Sequence, residues 1–279
     1  MVFTRAAASS TLRDGYGRTD RIARTRQFGW LGRAGLAARG LVYGIIGVLA
    51  LKLALGEQAP SANQQGALKT IAAQPSGKVM LVVVAIGLAG YASWRLVRAA
   101  VGHGREQRDS GADRTAALAS GIAYAVLCAT AVEIVTGAGS GAGSPAKPTG
   151  GVLGWTGGPW LVAVAGVALL GVAGYQAHKG IKRKFLEDSK TEQMSAGVRR
   201  AFTALGVFGH LARAVVFLLI GYGLIRAATD FNPQQAVGVD GALAKLAHAS
   251  YGSWLLGLVA VGLIGFALYS IADARYRRV

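Results

Sequence analysis

The sequence has one cysteine and few charged residues, and each scarcity excludes a class of protein or site. Because Cys128 stands alone, neither an intrachain disulfide nor a metal site made of several cysteines can form. Charged residues make up 15% of the chain, against roughly 25% in soluble globular domains. Acidic residues number 13 against 30 Lys and Arg, which leaves a net charge of +17. The composition is therefore not that of an ordinary soluble domain.

The sequence contains long apolar runs. Hydrophobic residues make up 52% of the sequence, and six runs approach the roughly 20 residues that cross a bilayer as a helix. The runs come in pairs, centred on 41–53 and 81–97, 122–135 and 161–177, and 211–225 and 255–271. The sequence therefore predicts an all-α integral membrane protein with six transmembrane helices.

Each pair of runs is one copy of an internal repeat. The segments Gly35–Gly47 and Gly209–Gly221 align without gaps 174 residues apart, and a diverged copy runs from Ser120 to Cys128. Three tandem parallel two-helix repeats predict a pseudo-threefold axis along the membrane normal. We divide the chain into a basic, disordered cytoplasmic tail (1–29) and repeats 30–104, 105–190 and 191–279. The tail carries six arginines and no apolar core of a signal peptide.

A short amphipathic connector precedes the second helix of the first and third repeats. It begins at Gly66 in repeat one and at Gly241 in repeat three, with apolar residues on one helical face. It is too short to span, so we expect it to lie at the outer interface or dip into the membrane. Repeat two retains only Gly151–Leu153 of this pattern.

The basic residues indicate the orientation. Of the 30 Lys and Arg residues, 24 fall in four segments: 1–39, 95–114, 179–213 and 275–279. This alternation is the positive-inside pattern and predicts cytoplasmic N- and C-termini in a bacterial plasma membrane. The bilayer's anionic headgroups are the expected partners of the basic surface, together with a membrane or cytoplasmic protein. The alternation argues against nucleic acid.

The second helix of each repeat contains two glycines three positions apart, followed by an aromatic residue. Such spacing opens a groove where a neighbouring backbone can approach, so we predict helix packing rather than cofactor binding. The six predicted packing glycines are Gly87, Gly90, Gly171, Gly174, Gly262 and Gly265.

These motifs resemble the domain of unknown function 1206. The resemblance rests on Ala-Arg-Gly-Leu-Val-Tyr at 38–43, the connector of repeat one and the Gly-x-x-Gly-aromatic ends, and it covers about residues 30–275. It implies a three-repeat, six-helix membrane protein of a mainly actinobacterial family. It implies no activity, so it supplies no catalytic residue.

Three charges occupy nearly equivalent places at the outer ends of the first helices of the repeats: Lys52, Glu133 and Arg226. Threefold symmetry would bring them together, with Glu133 paired to at least one base, as a candidate outer charge cluster. The alternative is that each side chain snorkels separately to the headgroups.

Arg39 and Arg213 are the inner counterparts, and Asp273 stands where the other repeats have Arg98 and Lys182. One interpretation is that the two arginines lie at the headgroups and cap the spanning helices. The other is that they bind an anion, or Asp273, near the axis. For Asp273 we expect a structural ion pair.

No enzyme motif is present in the sequence. It has no Gly-x-Ser-x-Gly, His-Glu-x-x-His or phosphate-binding loop, and its four scattered histidines argue against haem and metal. We therefore expect no enzyme activity, no catalytic residue and no cofactor. The first function hypothesis is a structural helical bundle that interacts with lipid or a protein partner. The alternative is a small channel or transporter with a path on the pseudo-threefold axis.

Overall fold

The computed structural model of the chain describes residues 26–57, 61–101, 111–137 and 146–277. Nine α-helices lie in these segments, and six of them are long and apolar enough to cross a membrane. The helices are α1 (Arg26–Ala54), α2 (Gln64–Ala72), α3 (Gly77–Val101), α4 (Gly111–Thr136), α5 (Ala146–Leu153), α6 (Gly158–Ile181), α7 (Ala196–Thr229), α8 (Val239–Ala247) and α9 (Gly252–Tyr276). The predicted all-α class with six spanning helices is confirmed.

The first spanning helix begins earlier than the predicted end of the tail. Helix α1 starts at Arg26, so residues 26–29 are helical, whereas residues 1–25 lie outside the described part of the chain. In lipid a helix satisfies all its backbone groups internally, which favours continuous helices through apolar segments without proline.

The long helices pack in a row, in the order α4, α3, α1, α9, α7, α6. The most extensive contacts are those of α1 with α9, α3 with α4, and α6 with α7, three pairs that the repeat makes equivalent. Within repeats one and three, α1 contacts α3 and α7 contacts α9, but α4 and α6 share no comparable contact among their described residues. The pseudo-threefold axis therefore stays a prediction, since one of its six helix contacts is missing.

The connector helices fold back into one end of the bundle, which we call the connector end. Helix α2 contacts α1, α3 and α4, and α8 contacts α1, α7 and α9. The side chain of Asn63 caps α2 by accepting a hydrogen bond from the Gly66 N–H at 2.7 Å. Repeat two also has a connector helix, α5, so the prediction that it retains only residues 151–153 was too short.

The core of the connector end is apolar and buried. Side chains from five spanning helices and from α2 and α8 form one buried cluster, including Ile46, Leu68, Leu243 and Leu256, each fully buried. Close packing of branched apolar side chains leaves no partner for an ion or a polar solute there.

The packing glycines behave differently in the three repeats. A Cβ atom at Gly87 would lie 2.8 Å from the Cβ atom of Ala38, and one at Gly262 would lie 2.5 Å from that of Ala212. Both distances are too short for two carbon atoms, so these glycines allow the close helix contact that was predicted. Gly90 is buried, and Gly265 faces Leu205 at an ordinary contact distance.

The packing prediction was wrong for Gly171 and Gly174. Both are exposed, and a Cβ atom at either one would have no atom within 4 Å in the described structure. The physical reason is the missing contact between α4 and α6, which leaves this face of α6 without a neighbour. In the most apolar stretch of each spanning helix, 22% of the residues are buried in α6 and 17% in α4, against 56% in α1 and in α9.

Candidate functional site

The outer charges are engaged separately and do not form an ion-paired cluster. Lys52 pairs with Glu57 at 3.4 Å, and Arg226 pairs with Asp230 at 2.8 Å. Glu133 is exposed and forms no ion pair within the described part of the chain. The predicted salt bridge from Glu133 to Lys52 or Arg226 is therefore wrong, because each base has an acidic residue four or five positions away.

Arg39 lies at the opposite end of the bundle, which we call the basic end, and is 7% exposed. Its guanidinium donates to the Tyr91 hydroxyl at 3.0 Å and to the Ser270 hydroxyl at 3.2 Å. It also stacks against the rings of Tyr91 and Phe266, at 5.5 and 5.0 Å from their centroids. A second guanidinium, that of Arg95, donates to the same Tyr91 oxygen at 3.1 Å. Arg39 thus joins α1, α3 and α9 and does not reach out to the headgroups.

Arg213 occupies the equivalent place in repeat three and contacts the same aromatic ring. Its guanidinium lies 4.5 Å from the centroid of Phe266 and 5.1 Å from that of Tyr43. The Gln176 side-chain amide is oriented so that both of its polar atoms form hydrogen bonds. The amide oxygen accepts from the two terminal nitrogens of Arg213 at 3.0 and 3.1 Å, and the amide nitrogen donates to His210 Nδ1 at 3.1 Å. Arg213 therefore links α7 to α6, α1 and α9.

Asp273 is fully buried and forms an ion pair, and its partner is Arg277 rather than Arg39 or Arg213. One guanidinium nitrogen of Arg277 contacts Asp273 at 3.0 Å, and another contacts Asp188 at 3.1 Å. Asp188 also pairs with Lys179 at 3.1 Å, and the Ser189 hydroxyl donates to Asp273 at 3.1 Å. We call this set of five residues the inner latch: Lys179, Asp188, Ser189, Asp273 and Arg277.

The inner latch ties three pieces of chain together. Lys179 lies on α6, Asp188 and Ser189 lie in the segment between α6 and α7, and Asp273 lies on α9. The backbone supports the same connection, because the Lys190 N–H donates to the Tyr276 carbonyl at 2.7 Å and Ser189 forms an isolated bridge with Arg277. The end of α9 is therefore anchored to the linker between repeats two and three.

The Asp188 carboxyl of the latch is ionised at neutral pH. Burial by itself would raise the pKa of the Asp188 carboxyl, but Arg277 and Lys179 outweigh burial and lower that pKa to about 2. The favourable contribution of the ionised carboxylate is present above its ordinary pKa and is lost only as the pH falls toward 2. Asp188 is thus available as a negatively charged partner across physiological pH.

The model of the Domain of Unknown Function (DUF1206) matches the chain three times, at residues 34–102, 115–183 and 208–277. The chain belongs to the DUF1206 family. The chain is also similar to the uncharacterised protein YxxB of Bacillus subtilis (strain 168), with 33% identity over 251 residues. That alignment covers 89% of this chain and 90% of the relative. No solved structure matches this chain.

Each DUF1206 segment falls inside one predicted repeat, and the latch connects the second segment with the third. Sequence reasoning found Arg39, Arg213 and Asp273 but missed Asp188, Ser189, Lys179 and Arg277. Arg277 could have been found, because it lies four residues after Asp273, the spacing at which helical side chains meet. Asp188 carried no comparable signal, since its pairing depends on how the linker folds.

The chemistry available at this DUF1206 site is electrostatic and structural. Guanidinium groups donate to hydroxyl and carboxylate oxygens, and the Ser189 hydroxyl that donates to Asp273 is fully buried, as is Asp273 itself. Within the described segments, His, Cys, Asp and Glu form no group of three that could hold a metal ion. The arrangement can join helices and hold the basic end in one geometry.

Proposed function

We propose that this protein is a structural membrane bundle without enzymatic activity, which interacts with lipid and protein partners through its basic end. The observation that carries the proposal is the closed apolar core of the connector end. Two short helices insert Leu68 and Leu243 into that core, and both side chains are fully buried. Transport sites depend on polar groups within the membrane, and the buried side chains that Leu68 and Leu243 join in that core are apolar.

The proposal includes a location and an orientation. The bundle lies in a bacterial plasma membrane with both termini in the cytoplasm and the connector end outside. The 24 basic residues of the four inner segments support this orientation, because Lys and Arg are retained on the cytoplasmic side. Anionic headgroups then meet the basic end, where each juxtamembrane cation contributes about 1 kcal/mol of attraction.

A small channel or transporter is the second candidate, and the buried charges favour it. Arg39 and Asp273 lie within spanning helices and are 7% and 0% exposed, and such residues often mark ion or substrate paths. Their contacts argue for a structural role. Arg39 donates to Tyr91 and Ser270, and Asp273 accepts from Ser189 and Arg277, so each is already engaged within the protein.

A flux measurement separates the two candidates. Purified protein reconstituted into liposomes should leave the leak of protons, potassium and chloride equal to that of empty liposomes, because the core of the connector end is closed. The matched control is Leu68→Ala/Leu243→Ala, which removes the two buried connector side chains and tests whether the assay detects an opened core. Flux through the wild-type protein well above the empty-liposome rate would favour the channel and reject the structural proposal.

A further inference from the structure

A groove at the basic end combines free cations with an apolar wall. It encloses about 630 Å³ and lies where the start of α7 meets the segment after α6. Arg183, Arg199 and Arg200 supply the cations, and Leu186, Val207 and Phe208 supply apolar surface. The three arginines are exposed, and none of them forms an ion pair in the described structure. Phe208 is 59% exposed.

The groove has a direction along α7. Arg199, Thr203 and Val207 lie four residues apart, and so do Arg200, Ala204 and Phe208. Residues at this spacing stack on one helix face, so two adjacent rows each run from a guanidinium through a small residue to an apolar side chain. The helix therefore presents charge at one end of the groove and hydrocarbon at the other.

The length of α7 places this gradient at the membrane boundary. Its 34 residues are about 51 Å long, whereas the hydrocarbon layer is about 30 Å thick. Its far end carries the surface ion pair of Arg226 with Asp230, so the excess length projects at the basic end. Counting about 20 residues back from Arg226 reaches the region of Val207 and Phe208, and the arginines lie beyond it.

We propose that this groove is a binding site for an anionic phospholipid. The phosphate of the headgroup binds among Arg183, Arg199 and Arg200, and an acyl chain packs along Val207 and Phe208. Of the carboxylates at this end, Asp188 and Asp273 are occupied by Lys179 and Arg277 in the inner latch, and Glu187 and Glu192 are not among the residues that line the groove. A free phosphate would contact the three arginines but would leave the apolar side chains of the groove without a partner. An acidic peptide would bind equally well to arginines far from the membrane boundary. This inference deepens the lipid-binding part of the proposed function by naming the site and the lipid class.

Native mass spectrometry of the delipidated full-length protein in detergent tests the site. The probes are phosphatidylglycerol and phosphatidylcholine with identical acyl chains. The wild-type protein should bind phosphatidylglycerol in preference. Arg199→Gln/Arg200→Gln should reduce that preference about 25-fold, since each of the two juxtamembrane cations is worth about a factor of five. The control Lys182→Gln/Lys184→Gln changes the charge equally outside the groove lining and should retain the preference.

A second variant tests the apolar wall. Phe208→Ser should weaken phosphatidylglycerol binding, whereas Leu218→Ser, at another exposed position of α7, should leave it unchanged. Equal lipid preference in the wild-type and the double arginine variant would overturn the site. Displacement of the lipid by millimolar inorganic phosphate, with no effect of Phe208→Ser, would assign the groove to a free anion and also overturn it. Neither result bears on the flux measurement, so the failure of this site and the failure of the structural proposal are distinguishable.

Discussion

Replacing Asp273 with asparagine should destabilise the bundle by about 3 kcal/mol or more. Its carboxylate is fully buried and holds Arg277 at 3.0 Å, and it also accepts from Ser189. The amide of Asp273→Asn would leave the guanidinium of Arg277 buried with Asp188 as its remaining counter-ion. Because the single carboxylate of Asp188 would then be shared by Arg277 and Lys179, the buried cations would exceed their counter-ions by one, and the loss of stability should be large. Thermal unfolding of the purified protein in detergent measures it.

The matched control is Asp230→Asn at the connector end. Asp230 also pairs with an arginine four residues away on the same helix, Arg226, at 2.8 Å, but that arginine side chain is 48% exposed. An exposed pair of this kind contributes at most about 1 kcal/mol. Equal melting temperatures for Asp273→Asn and the wild type, or equal losses in the two variants, would show that the latch does not hold the basic end.

Gly209→Ala should produce the second large loss, of about 1–3 kcal/mol, through overpacking between α7 and α9. A Cβ atom at Gly209 would lie 2.6 Å from the Cα atom of Phe266. A backbone atom cannot rotate away as a side-chain tip can, so the two helices would have to separate. The equivalent glycine of repeat one, Gly35, approaches the backbone of Tyr91 in the same way. A lower melting temperature in detergent is the expected result.

Gly174→Ala provides the control for that substitution. The same chemical change is made on a spanning helix, but a Cβ atom at Gly174 would have no atom within 4 Å. Alanine is also the better helix former, by up to about 1 kcal/mol in water. Gly174→Ala should therefore match or exceed the wild type in stability. A loss as large as that of Gly209→Ala would mean that the face of α6 has a neighbour after all.

The architecture was largely readable from the sequence because its signals are local. Six apolar runs of sufficient length and their repetition predicted six spanning helices, and all six are present. The amphipathic patterns that begin at Gly66 and Gly241 predicted short connector helices, and α2 (Gln64–Ala72) and α8 (Val239–Ala247) are present there. The connector of repeat two, α5, was missed in part because Pro148 and three glycines between 150 and 154 hide its helical pattern.

The candidate sites were less readable, because they depend on contacts between distant residues. Equivalent positions for Lys52, Glu133 and Arg226 suggested a cluster, but nearby acids engage the two bases. The inner latch joins Asp188 to Arg277, which lie 89 positions apart in the sequence. The periodicity of apolar residues along a helix cannot predict a contact between such distant residues. The glycines of repeat two carry the same spacing as Gly87 and Gly262, yet only tertiary packing decides whether a neighbour is present.

Cysteine accessibility in oriented membranes tests the central claim, that a closed bundle sits with its connector end outside. In a Cys128→Ala background, an impermeant thiol reagent added from outside should label Ser61→Cys, which lies beside α2, and should not label Gln193→Cys at the basic end. It should also fail to label Ile46→Cys, whose position is fully buried in the core. Labelling of Ile46→Cys from outside would reveal a water-filled path, and labelling of Gln193→Cys would reverse the orientation. Either result would contradict the account.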